Sequence, residues 1–264
     1  MTKEVAVWTP KPFKGTDLLV TGADAAVPAE VADIPIVGSE NIEMSDLILP
    51  SIVLLHGTSK PVTDGVEGAQ VGKLYNTLTG RIYDPPLRAI VVHHNRSNAL
   101  FPQADDKRTK GLKTCISRDG VTGTEYGLCE ECRRCLDWTP DGGKPLGSRQ
   151  HVFCLLTTEG PALVRFGRTS YKAGKEFLSA WQLSPQKKNS WAHPVVLSTV
   201  KESKTLNDGK STTYHRLEMR WDTTEAVPAE VQRQCYSVYQ SIHDAYEAGR
   251  LASEGSHDEE LPFA

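Results

Sequence analysis

Apolar, β-branched positions fall into short runs from about residue 47 onward, and most of these runs read as strands. Residues 47–56, Leu-Ile-Leu-Pro-Ser-Ile-Val-Leu-Leu-His, suit a strand that Gly57 and Lys60-Pro61 end. A glycine-rich loop follows at 64–72. Residues 71–83 give two short strands about a turn at Thr79-Gly80, and Pro85-Pro86 ends the second. Residues 87–94, Leu-Arg-Ala-Ile-Val-Val-His-His, predict a central strand. Residues 151–157 and 162–166 predict a hairpin turned by Glu159-Gly160-Pro161. Ser170 is placed to N-cap a helix through about Leu183, with Phe177, Leu178 and Trp181 as its apolar face, and Pro185 stops it. A strand at 194–201 and its return at 212–221 flank Asn207-Asp208-Gly209, a strong turn signal. Pro228 opens a last helix whose stripe is Val231, Cys235, Val238, Tyr239, Ile242, Ala245 and Tyr246, closed by Gly249.

About seven strands, two helices and one polar insert make the chain mainly β. Short antiparallel strands with one mid-chain helix fit an OB-fold-like Greek-key barrel, with a cysteine-rich insert and a C-terminal helix. An elaborated sandwich is the alternative. The body spans 46–250, with the insert at about 95–149. Residues 1–45 lack a sustained period and read as an extended or partly disordered arm, and 251–264 form an acidic tail.

The insert holds the clearest candidate chemistry. Cys115, Cys129, Cys132 and Cys135 lie within 21 residues that are otherwise mostly polar. Such a segment builds no core of its own, and a tetrahedral zinc held by four thiolates supplies folding energy instead. Four cysteines close the coordination shell, so a zinc here is structural. An iron–sulfur cluster is the metal rival, although the Cys-x2-Cys-x2-Cys run lacks the following Cys-Pro. A disulfide pair or free thiols form the metal-free reading. A histidine could also replace one ligand, since His93, His94 and His151 flank the insert. Cys154 and Cys235 sit inside apolar patterns and are expected in the core.

Charge adds a segregation. The overall net is −3, yet residues 1–50 carry −5 and residues 251–264 carry −4, which leaves +6 for 51–250. A basic body between acidic ends favours a polyanionic partner. No apolar run reaches membrane-spanning length, and residues 1–8 do not read as a signal peptide. Clustered cysteines without a signal fit a reducing cytoplasm.

The end of the chain reads Asp258-Glu259-Glu260-Leu261-Pro262-Phe263-Ala264. It resembles the acidic, Pro-Phe-ended tails of bacterial and phage single-stranded DNA-binding proteins, with Ala264 following where such tails usually stop at Phe. The longer body with its cysteine-rich insert is similar in architecture to the phage members, which combine an OB-fold, a zinc subdomain and an acidic end. The resemblance implies sequence-tolerant binding of single-stranded DNA in replication, recombination or repair, with the tail docking partner proteins through Asp258, Glu259, Glu260, Leu261, Pro262 and Phe263.

Lys and Arg would then track phosphates while rings stack bases, at roughly 1–3 kcal/mol per base. Candidate contacts stand where a ring neighbours a cation: Lys73 with Tyr75, Arg81 with Tyr83, Tyr171 with Lys172, Lys187 and Lys188 with Trp191, and Tyr214 with Arg216 and Arg220. No Gly-x4-Gly-Lys-Ser/Thr phosphate loop and no Gly-x-Ser-x-Gly elbow occurs. A zinc deaminase needs His-x-Glu ahead of its cysteines, whereas His257-Asp-Glu259 lies after them. The expectation is therefore a binding protein rather than an enzyme. A phage transcription adaptor that recruits RNA polymerase, and more remotely a zinc nuclease, are the alternatives.

Overall fold

Strand β4 (Leu87–Leu100) is the spine on which the other long strands pair. In the computed structural model, residues 48–102, 106–137, 143–184, 189–205 and 211–247 are described. The first residues of β4 pair with β10 (Val195–Thr205), Leu87 opposite Leu197 and Ala89 opposite Val195. From Ile90 to Ala99 it pairs with β8 (Ser148–Thr157), and Asn98–Leu100 also pair with the short β5 (Cys115–Ser117). Strand β9 (Gly160–Gly167) turns back on β8, and β11 (Ser211–Trp221) turns back on β10. The resulting order is β11-β10-β4-β8-β9, antiparallel throughout, with β5 at the side of β4.

Alternation gives this sheet two apolar faces. Ala89 and Val91 of β4, Phe153 and Leu155 of β8, Val164 and Phe166 of β9, and Leu217 and Met219 of β11 bury one cluster. Ile90, Val92, Val152, Cys154, Leu156 and Leu163 bury a second cluster on the opposite face. A register shift between Val91 and His93 inserts one extra residue, so Val92 and His93 break the alternation.

The inner cluster is completed by a small sheet of β1 (Ile52–Leu54), β2 (Leu74–Asn76) and β3 (Ile82–Tyr83), which contributes Ile52, Leu54, Leu74 and Tyr83. It is held at two edges. The Leu163 amide donates to the Pro50 carbonyl at 2.7 Å, and the Thr199 hydroxyl donates to the Gly72 carbonyl at 2.7 Å. The fold is thus mainly β, with antiparallel sheets wrapped in a barrel-like arrangement.

Helix α3 (Tyr171–Gln182) follows β9 and buries Ala173, Gly174 and Phe177. Phe177 meets Phe153 edge-on and stacks on Trp221 at 4.7 Å between centroids. The helix comes close because position 174 is glycine: a Cβ there would lie 2.9 Å from that of Phe166. Helix α4 (Ala229–Glu247) buries Val231, Cys235 and Ile242 against the outer cluster. No helix among the described residues is long and apolar enough to cross a membrane.

Three local expectations change. Ser170 precedes α3 but its hydroxyl makes no cap bond; it accepts the Leu217 amide of β11 at 2.9 Å instead. Residues 95–100 are part of β4 and not of the polar insert, because 95–99 pair with β8 and 98–100 with β5. The short helix α1 (Lys60–Thr63) occupies a stretch read as a break. The 1–45 arm, the Asn207-Asp208-Gly209 turn and the 251–264 tail lie outside the described residues.

Candidate nucleic-acid interface and thiol site

Two sites lie on opposite faces of the β4–β5 pair. The first is a cavity of about 20 Å³ bordered by Cys115, Cys129, Cys132 and Cys135, with Asn98, Leu100 and Ser117 as its floor. Cys115 comes from β5. A tiny hairpin, β6 (Thr122–Gly123) and β7 (Gly127–Leu128), leads into the helical turn α2 (Cys129–Cys132), which carries the next two thiols. Arg133 then takes a left-handed conformation, φ 56°, so the chain turns back and brings Cys135 to the cavity. All four thiols are free of disulfides.

Their closeness is felt electrostatically. Burial, then the neighbouring thiols of Cys129, Cys132 and Cys115, pushes Cys135 up to about 11. Two glycines make the room: a Cβ at Gly123 would sit 2.6 Å from the Cys115 sulfur, and one at Gly147 would sit 2.2 Å from that of Cys135. Arg134 lies over the Tyr126 ring, 4.0 Å from its centroid, and donates to the Cys132 sulfur at 3.4 Å. Among the described residues, no three or more His, Cys, Asp or Glu side chains stand as a formed metal-holding group.

The second site is a groove of about 1190 Å³. Its floor is the outward row of β8 and β9, Gln150, Val152, Cys154, Leu163, Arg165 and Gly167. Its walls are the β4–β5 pair on one side, and on the other the loop after β1 with the far end of the β10–β11 ribbon. Among the described residues, the charged side chains lining it are Lys60, Arg118, Arg165, Arg168 and Lys204, against the carboxylate of Asp64. Tyr75, Phe101 and Tyr214 add rings, and His56, His93 and His215 add imidazoles. Burial, then the neighbouring His215, holds His56 below its ordinary value.

The expected contact residues divide. Tyr75 and Tyr214 line the groove, Tyr214 with its hydroxyl donating to Glu202 at 2.8 Å. Tyr83 is only 9% exposed and donates its hydroxyl to Glu159, so it packs in the core and offers no stacking face. Burial, then that bond, raises Tyr83 to about 12. Arg81 lies over the Tyr83 ring and also pairs with Glu159. Lys73 pairs with Asp84 at 3.0 Å. Tyr171 stacks on His151, 4.8 Å between centroids and 12° between planes, while Lys172 faces solvent beside Glu176. Trp191 packs on the outer cluster. Arg216 pairs with Glu202 at 2.6 Å, and Arg220 with Glu218 at 2.7 Å. Lys187, Lys188 and the tail residues 258–263 lie outside the described residues.

Sequence reasoning passed over Arg118, Arg165, Arg168, Lys60 and Lys204. A signal existed for one of them. Arg165 stands between Val164 and Phe166 in a predicted strand, so alternation alone turns it to the opposite face. The others sit at the start of the short helix α1, on turns or at strand ends, where only tertiary contact brings them together.

Residues 21–251 match the family model described as Pam3 phage gp34-like protein, which covers most of the chain. No curated protein and no solved structure matches it. The chain belongs to the Pam3 phage gp34-like family.

Proposed function

We propose that this member of the Pam3 phage gp34-like family binds single-stranded DNA, without regard to sequence, during phage DNA replication, recombination or repair. The observation that carries the reading is the groove: among the described residues, five basic side chains against one carboxylate, across the outward row of β8 and β9. The barrel order supports it. If β4, β8, β9, β10 and β11 are counted as strands one to five, the order is 5-4-1-2-3, with α3 between strands three and four. That order is compatible with a five-stranded Greek-key OB-fold, a barrel that binds oligonucleotides on the face of strands two and three, between the loops joining one to two and four to five. Here those loops are the cysteine insert and the end of the β10–β11 ribbon. Lys60, Arg165, Arg168 and Lys204 would meet phosphates, and Tyr75, Phe101 and Tyr214 would offer ring faces to bases.

Cys115, Cys129, Cys132 and Cys135 would hold one structural zinc. The small cavity, the four thiols and the glycines at 123 and 147 support this. A bound zinc would favour the thiolates and fix an insert that has little core of its own. The acidic tail, from Asp258 to Phe263, would recruit partner proteins, and no catalytic role is assigned to any residue.

The test is fluorescence anisotropy with a labelled single-stranded oligonucleotide at several salt concentrations, on the full chain and on a version ending at Gly249. The expected result is binding that weakens steeply with salt and tightens when the tail is removed. Absence of binding by both forms at low salt would overturn the reading. Cleavage of the oligonucleotide would favour a nuclease.

A further inference from the structure

Strand β5 is three residues long, and its two faces serve different sites. Cys115 and Ser117 border the thiol cavity, whereas Ile116 and Arg118, just beyond the strand end, line the groove. The paired part of β4 divides the same way: Asn98 and Leu100 face the thiols, while Ser97 and Ala99 face the groove. The register locks the two rows together, with Asn98 opposite Ser117, Ala99 opposite Ile116 and Leu100 opposite Cys115.

We infer that the thiol site is a positioning device for this wall of the groove: binding of a metal at the four cysteines sets β5, and through it Arg118, for contact with the nucleic-acid backbone. This rests on the single-strand reading and on a metal at the cysteines. Three residues of pairing are a weak hold for a strand, and the remainder of the insert contributes few buried apolar side chains. Among the described residues 106–137, only Thr109, Ser117 and Gly123 are buried, and all three are small. A tie at Cys115 would add a restraint to those already on the segment, the Asn95 side chain donating to the Arg118 carbonyl at 2.8 Å and the Ile116 amide to the Thr124 hydroxyl at 3.1 Å. Asp119 supports the turn beyond Arg118, accepting the amides of Val121 and Thr122 at 2.7 and 2.9 Å and the hydroxyl of Ser117 at 2.8 Å. The side chain of Asn98 donates to the Gly120 carbonyl at 3.2 Å, fastening that turn to β4. Metal and nucleic acid would thus be linked, each favouring the other by the same factor.

The experiment uses the full chain with and without zinc, the metal being removed by a chelator and counted by a colorimetric dye. Binding to a labelled oligothymidine is measured for the native chain and for Arg118→Ala in both states. The expected result is that Arg118→Ala weakens binding of the zinc-loaded chain about fivefold. Its salt slope should become shallower by about 0.7, the share of one phosphate on a single strand. Its zinc content stays unchanged. Removing zinc gives a similar loss in the native chain and almost none in the variant. Equal effects of Arg118→Ala with and without zinc would overturn the coupling and leave the single-strand reading standing. Failure to bind zinc would also overturn it. Failure of every form to bind the oligonucleotide would instead count against the functional reading itself.

Discussion

Gly147 offers a sharp test of how the insert closes. Its backbone sits where the chain returns from the insert to β8, and its amide donates to the Arg134 carbonyl at 3.1 Å. A Cβ built there would lie 2.2 Å from the Cys135 sulfur, 2.7 Å from the Ala99 carbonyl oxygen and 3.3 Å from the Leu100 Cβ. The sulfur could rotate away, but the carbonyl belongs to β4 and is held by strand pairing on both sides. Gly147→Ala must therefore displace Cys135 from the cavity or shift the strand start. Overpacking of this kind costs about 1–3 kcal/mol. At about 2–4 °C per kcal/mol for a domain of this size, the thermal midpoint should fall by roughly 2–12 °C. Affinity for the proposed zinc should fall with it, because Cys135 is one of the four side chains proposed to hold the ion. Gly57→Ala is the control, since nothing lies within 4 Å of its Cβ. Thermal melts of both variants, with zinc counted per chain, decide the matter. A Gly147→Ala protein with native midpoint and native zinc content would refute the close contact between Gly147, Cys135 and β4.

Other expectations follow from the same geometry. Arg165→Ala, on the groove floor, should weaken single-strand binding on all sequences alike and make the salt dependence shallower, whereas Lys172→Ala, outside the groove, should leave both unchanged in anisotropy titrations. Phe153→Ala removes a fully buried ring that meets Phe166 and Phe177 edge-on, and should cost about 3–5 kcal/mol in urea unfolding. Ser170→Ala leaves the buried Leu217 amide without its acceptor and should cost about 1–3 kcal/mol in the same assay. Burial, then His151, His93 and Arg96, holds His94 down at about 4, and burial lowers His151 beside it, 3.2 Å away. The folded chain thus disfavours protons that the unfolded chain accepts. The stability from this pair is complete above about pH 6.5 and is lost as pH falls toward 4. Melts across that range should show the loss, and His94→Gln should lessen it.

The strands were legible because their chemistry repeats locally. Val152, Cys154 and Leu156 alternate with Phe153 and Leu155, and a hairpin needs only the Glu159-Gly160-Pro161 turn to pair them. The stripe of α4 was equally plain, since Val231, Cys235 and Ile242 recur at helical spacing and all three are buried. Boundaries were less so. Strand β4 continues past His94 through Asn95-Arg96-Ser97-Asn98, a polar run that reads as insert until β8, and from Asn98 also β5, supplies pairing partners. Ser170 looked like a helix cap because capping is a local habit of serine, yet a strand amide 47 residues away claimed its hydroxyl.

Pairing rings with nearby cations along the sequence found two groove residues, Tyr75 and Tyr214, and missed the basic ones. Residues two apart in a strand share a face, which puts ring and cation together but does not say whether that face is open: Tyr83 packs in the core while Arg81 pairs with Glu159, and Arg216 is held by Glu202. By itself the sequence determined the predominance of β-strands, the outer helix and a compact set of four cysteines, because each depends on local period or spacing. Only the tertiary structure decided that those thiols meet around one cavity, that Lys60, Arg118, Arg165, Arg168 and Lys204 share one groove, and that a single two-stranded ribbon separates the two. Which residues share a surface is set by strand register and by the curl of the sheet, and these arise from contacts between segments far apart in the chain.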